Sequence, residues 1–220
     1  MLPTLLGAVF IGLSLIHIVF LAVGDRTSAS WTKLLLMPLL AAYYLVSAFA
    51  HHGNVVVPIF AGVLFGFLGD LLLLDTTHQR RFLLGLGAFL VGHLLYVLGF
   101  LLSISAASAH LIPAVFLALI PLAGHGFWYL HGLRRELADR ALAVTIYVAV
   151  IIAMTFIAIL RASALGSPGA WIVFIGSLFF VVSDSLLGIQ LFRTPTRIRE
   201  TAVMASYIVA QLLIVEGFLL

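Results

Sequence analysis

The stretch VVVPIFAGVLFGFLGDLLLL, residues 55–74, is twenty residues long and carries one charged side chain, Asp70. Twenty apolar residues in a helix rise about 30 Å, which matches the hydrocarbon core of a bilayer. The segment therefore reads as a membrane span with an acid buried inside it. Seven similar runs lie on either side of it, at about residues 3–23, 33–50, 82–104, 111–131, 141–160, 169–192 and 200–220. Polar breaks at 24–32, 51–54, 75–81, 105–110, 132–140, 161–168 and 193–199 separate them. With 64% hydrophobic and 9% charged residues, the chain has too little polar surface to cover a water-soluble globule. The fold class expected is all-α: a polytopic integral membrane bundle of eight transmembrane helices forming a single transmembrane domain over residues 1–220. The first run lacks a basic leader and a small-residue cleavage site, so it reads as a retained span.

Charge orients these spans, because cytosolic loops retain Lys and Arg during insertion. Arg26, Arg80, Arg81, Arg134, Arg135, Arg140, Arg193, Arg197 and Arg199 fall in odd-numbered breaks and Lys33 borders the first of them, so that ten of the eleven basic residues belong to the odd side. Arg161 alone falls in an even one. This places both termini outside and the odd loops in the cytosol, with the bacterial inner membrane as the expected location. The net charge of +3 is modest and unaccompanied by surface aromatics, which argues against nucleic acid as a partner. With no cysteine, disulfides, thiolate metal sites and a cysteine nucleophile are excluded.

At an offset of 114 residues the third span aligns with the seventh without a gap. Gly62, Leu64, Phe65, Asp70, Leu72 and Leu73 meet Gly176, Leu178, Phe179, Asp184, Leu186 and Leu187. His93 meets Tyr207 on the same offset. Four spans per repeat means both halves insert in the same sense, a four-plus-four parallel repeat with its pseudo-twofold axis along the membrane normal.

A carboxylate inside a span costs roughly 2.5–3.5 kcal/mol, so Asp70 and Asp184 need an offsetting reason. If they face each other at about 4 Å, repulsion at an effective dielectric near 20 reaches about 4 kcal/mol. One proton would then be shared, giving an acid and a base from identical side chains. Pairing of each with a loop arginine is the plainer alternative. Lys33, His93, Tyr96, Tyr207 and Gln211 fall in the same cytosolic half and are candidates for a surrounding pocket. His93 and Tyr96 are three apart on one helix face, with Phe89 and Phe100 extending it. Lys33 at the membrane boundary suits a phosphate, or snorkelling to headgroups. Glycines 62, 66 and 69, and 85, 92 and 99, form stripes for close helix packing. Ser183 beside Asp184 reads as a hydrogen-bonding group, since adjacent helical residues do not face each other and no nucleophile elbow occurs. His125 and His131 lack metal-ligand spacing, and His51 and His52 fall in an outer loop, so no metal site is expected. Glu216 and His17 are buried without an evident role.

Five segments together resemble the lysoplasmalogenases, eight-span membrane hydrolases of lysoplasmalogens. They are Lys33-Leu-Leu-Leu-Met-Pro38, the Gly62 to Leu74 run, Gly85-x3-Phe89-x2-Gly92-His93-x2-Tyr96, Gly176-Ser-x5-Ser183-Asp184 and Tyr207-x3-Gln211. The resemblance runs from about Lys33 to the C-terminus and is weakest over residues 105–170. It implies that Asp70 and Asp184 are catalytic and that Lys33, His93, Tyr96 and Tyr207 fall in the pocket, to which Gln211 and Ser183 are added here as candidate substrate-binding residues. It also implies a lysophospholipid substrate among membrane lipids, cleavage to a fatty aldehyde and a glycerophospho-alcohol, and no cofactor. A proton-coupled transporter would use the same buried carboxylates, although no span carries a Pro-Gly interruption. An intramembrane aspartyl protease is the third reading, but Gly-Phe-Leu-Gly-Asp has the wrong spacing for its Gly-x-Gly-Asp motif.

Overall fold

A computed structural model describes residues 1–51, 54–75, 78–104, 118–137 and 140–220. Among them the chain is helical, without strands: α1 (Leu2–Val23), α2 (Arg26–His51), α3 (Val57–Leu72), α4 (Gln79–Leu102), α5 (Leu119–Leu137), α6 (Ala141–Leu165), α7 (Pro168–Phe192) and α8 (Arg197–Leu219). The break at 105–110, the expected start of the fifth span at 111–117, and His52 lie outside the described residues. Helices α1, α2, α4, α6, α7 and α8 are each long and apolar enough to cross a membrane. Helix α3 has 16 residues and rises about 24 Å. The last turn of α5, which ends at Leu137, carries Arg134, Arg135 and Glu136. The molecule is the all-helical, polytopic membrane protein its composition requires.

Two polar breaks are much shorter than the charges suggest. Gly24, at φ 87°, turns α1 by giving its N–H to the Phe20 and Leu21 carbonyls. Asp25 follows at once and accepts from the Ser28 N–H at 3.1 Å, capping α2. The Ser28 side chain and backbone hold its carboxyl below the ordinary aspartate range. Residues 26–32 are thus helix rather than loop, and Lys33 stands two turns inside α2 instead of opening it. Arg161 is corrected the same way. It belongs to α6, whose end comes at Gly166, φ 65°, and Ser167 caps α7 by accepting from the Ala170 N–H at 3.2 Å. The guanidinium is buried because Ser103 accepts its Nε–H at 2.7 Å and the Phe218 ring covers it at 4.3 Å.

The chain divides into two compact units, Met1–Gly99 and Phe100–Phe218. The first holds α1 to α3 and nearly all of α4, and the second holds α5 to α8. Within the first, α1 packs on α2, α2 on α3, and α3 meets α4 through glycines. A Cβ on Gly62 would stand 2.5 Å from the Tyr96 ring, and one on Gly69 would stand 2.5 Å from Phe89. Within the second, α6 packs on α5 and α7, and α7 meets α8.

The α7–α8 contacts repeat those of α3–α4 at the offset of 114. A Cβ on Gly176 would lie 3.1 Å from the Ala210 carbonyl, as Gly62 meets Tyr96. Ser183 donates to the Val203 carbonyl at 3.1 Å, as Gly69 meets Phe89. Side-chain identity differs in three of these four positions, so the agreement lies in register rather than in composition.

Candidate active site

In the first unit Asp70 sits in the last turn of α3, where Gly69 lets the Phe89 ring lie against the backbone. Its carboxylate is 2% exposed, and its Oδ1 lies 3.2 Å from Lys33 Nζ of α2. The lysine side chain is 19% exposed. Two opposite charges held this close and this far from water stabilise each other far more than a surface pair does. Asp70 is thus paired with a lysine from inside a helix. His93 and Tyr96 of α4 are buried at 2% and 1%, in helical register with Phe89. His17 of α1 also meets α2, with Nδ1 2.9 Å from Oγ1 of Thr32, the residue just before Lys33.

In the second unit Asp184 lies within α7 and is partly buried. Tyr147 of α6 and Tyr129 of α5 both lie within electrostatic range of this carboxylate. Both tyrosines are buried. Ser183 is committed to the α8 backbone, so the hydrogen-bonding role expected of it is realised on Val203 rather than on a nucleophile's target. On α8, Gln211 Nε2 donates to the Tyr207 hydroxyl at 3.2 Å, and the Phe180 ring meets Tyr207 edge-on at 5.8 Å.

The structure thus joins Lys33 to Asp70 and Tyr207 to Gln211, buries His93 and Tyr96 in the first unit, and ties Ser183 to backbone. Sequence reading missed Tyr147 and Tyr129. Tyr147 was nevertheless within reach, because it stands 114 residues after Lys33, as Asp184 stands after Asp70. The pair Lys33–Asp70 recurs as Tyr147–Asp184, with a phenol in place of the ammonium. Elsewhere, His125 Nε2 lies 3.0 Å from Ser185 Oγ, joining α5 to α7, and His51 lies 2.8 Å from the Ser47 carbonyl. No group of three His, Asp or Glu side chains among the described residues is placed to hold a metal ion.

Fold and site together define an integral membrane helical protein with an intramembrane carboxylate in each half. More particularly, the chain belongs to the YhhN family, whose model matches residues 28–218. It is similar to the lysoplasmalogenase of Mycobacterium bovis (strain ATCC BAA-935 / AF2122/97), 31% identical over 153 residues that cover 68% of this chain and 56% of the relative. It is also similar to lysoplasmalogenase TMEM86B of Sus scrofa, 32% identical over 135 residues, 61% of this chain and 53% of that one. Lysoplasmalogenase TMEM86A of Homo sapiens is 29% identical over 164 residues, 71% and 62% of the two chains. The chain spans little more than half the length of these curated relatives. No solved structure matches it. The resemblance drawn from the five sequence segments is borne out by the family match.

Proposed function

We propose that this chain hydrolyses the vinyl ether bond of lysoplasmalogens within the membrane, with Asp70 and Asp184 as its acid and base. One observation carries the reading: a YhhN-family chain with relatives named lysoplasmalogenase places an acid at the same position of each half. The chemistry suits carboxyl groups. Vinyl ethers resist base and nucleophiles but yield to acid. Protonation of the carbon β to oxygen gives an oxocarbenium ion, water adds to it, and the hemiacetal collapses to a fatty aldehyde and a glycerophospho-alcohol. One carboxylic acid gives the proton, while one carboxylate accepts the proton of the attacking water and offsets the cation.

The partners of the two acids support a division of labour. Asp70 faces the Lys33 ammonium, which suits the anionic role, whereas Asp184 has the Tyr147 phenol nearby and no such cation beside it in the Lys33-equivalent position, which leaves it for the other role. Lys33, His93, Tyr96, Tyr207, Gln211 and Ser183 are the proposed surroundings of a single-chain lipid whose phosphate stays at the cytosolic headgroup plane. Both termini outside and a bacterial inner membrane complete the proposal. Because the chain has no cysteine, single introduced cysteines would report the orientation of each loop without background labelling.

The test is aldehyde release from lysoplasmenylethanolamine by the purified full-length chain. Release that persists undiminished in both Asp70→Asn and Asp184→Asn would falsify the assignment. Solute uptake by proteoliposomes without aldehyde would instead favour a proton-coupled transporter.

A further inference from the structure

His17 lies outside the residues that match the family model and is 1% exposed, yet its ring is held as an oriented group rather than as packing. Thr32 donates its hydroxyl proton to the Ser28 carbonyl at 2.8 Å, so toward His17 it presents a lone pair. The contact with Thr32 therefore puts the ring proton on Nδ1 and leaves Nε2 as the acceptor. Among the described residues Nε2 has no hydrogen-bond partner. Ser14, one turn away on α1, gives its proton to the Phe10 carbonyl at 2.7 Å and cannot supply one. Lys33, close enough to act electrostatically on His17, is engaged with Asp70.

A buried acceptor that no described residue meets, close to an ion pair, suits a donor brought from outside the chain. An ammonium headgroup would have to approach the Lys33 charge, and a phosphate has no proton to give. A neutral alcohol meets both conditions. We propose that His17 Nε2 accepts the hydrogen bond of the free glycerol hydroxyl of a lysolipid, making His17 a specificity residue that selects single-chain over doubly substituted lipids. The inference rests on the lysoplasmalogenase reading for its substrate. In such a lipid the hydroxyl is borne on the carbon next to the one carrying the vinyl ether oxygen, so a group that grips it also positions the bond to be cleaved. Adding an acyl or methyl group to that oxygen removes the proton, and the buried acceptor is left unmet.

The experiment compares lysoplasmenylethanolamine with its O-methyl analogue at the glycerol hydroxyl, using full-length protein. The wild type is expected to favour the free hydroxyl in kcat/KM by about tenfold or more, as sites built around a substrate hydroxyl do. In His17→Phe that preference should fall to within about twofold, and His17→Gln, which keeps an acceptor near the Nε2 position, should retain part of it. An equal loss on both substrates in His17→Phe, or a preference left intact, overturns the proposal. A second measurement separates the two levels of inference: equilibrium binding of a saturated-ether lysophosphoethanolamine and its O-methyl analogue. Preference for the hydroxyl that vanishes in His17→Phe supports the site even if no aldehyde forms, in which case the hydrolase reading alone fails. Equal binding of the two lipids by wild type overturns the site whether or not aldehyde is released.

Discussion

The two halves of this protein share a register and differ in what they place there. In the first, a buried carboxylate meets an ammonium; in the second, a less buried carboxylate meets a phenol. In the first, α3 and α4 approach through glycines filled by the rings of Tyr96 and Phe89. In the second, the same positions are filled by a backbone carbonyl and a serine hydrogen bond. Keeping helix register while exchanging the neighbouring side chains would let one scaffold hold two identical acids in unlike environments, which is what the proposed acid–base chemistry needs.

The largest effects should come from the acids themselves. Asp70→Asn and Asp184→Asn should each lower aldehyde release by roughly a hundredfold to ten-thousandfold, the range for a positioned proton-transfer group. Equal losses in kcat support joint action of the halves. A full rate in one variant with none in the other would confine the chemistry to one carboxylate.

Next come their partners. Removing one member of a buried ion pair leaves the other uncompensated, so Lys33→Met should cost roughly 3–5 kcal/mol of stability. Tyr147→Phe, which deletes one hydroxyl, should cost about 1 kcal/mol. Thermal unfolding in detergent measures both. The double variant Lys33→Met with Asp70→Asn should recover much of the first loss, because neither charge then remains buried alone. If Lys33→Met and Tyr147→Phe prove equally mild, the contrast between the halves has no energetic content.

A finer comparison concerns the helix contacts at one register position. Gly69→Ala forces a Cβ to 2.5 Å from the Phe89 ring and should cost about 1–3 kcal/mol, the range for overpacking. Ser183→Ala removes the bond to the Val203 carbonyl at little change in volume and should cost about 1 kcal/mol. Chemical or thermal unfolding of the two variants, side by side, reads the difference.

The spans were legible because lipid imposes length and apolarity on each helix, and the two acids because nothing else charged interrupts their runs. Charge misled where it was taken for loop. Residues 26–32 and Arg161 are polar yet helical, since Asp25 and Ser28 cap the one and Ser103 and Phe218 bury the other. Tyr147 was illegible as a single residue, because a tyrosine in a span reads as packing. Its meaning appears only when the offset that pairs the aspartates is carried back to Lys33. His17 was illegible for a different reason. Its chemistry is set by Thr32 on a neighbouring helix, and no spacing along the chain encodes a tautomer.

The smallest expected effect isolates packing from propensity on a single helix. Gly85 and Gly87 of α4 lie two residues apart, on different faces. A Cβ on Gly85 would stand 2.6 Å from Leu73, whereas one on Gly87 would meet nothing within 4 Å. Alanine at Gly87 should therefore stabilise by about 0.5–1 kcal/mol, since it adds helix propensity and displaces no neighbour. Alanine at Gly85 gains the same propensity but must push back the end of a leucine, so its net effect should be smaller or reversed. If both substitutions stabilise alike, the α3–α4 glycine contacts yield freely, and the close register shared with α7–α8 is permitted by the lipid-facing helices rather than imposed by their packing.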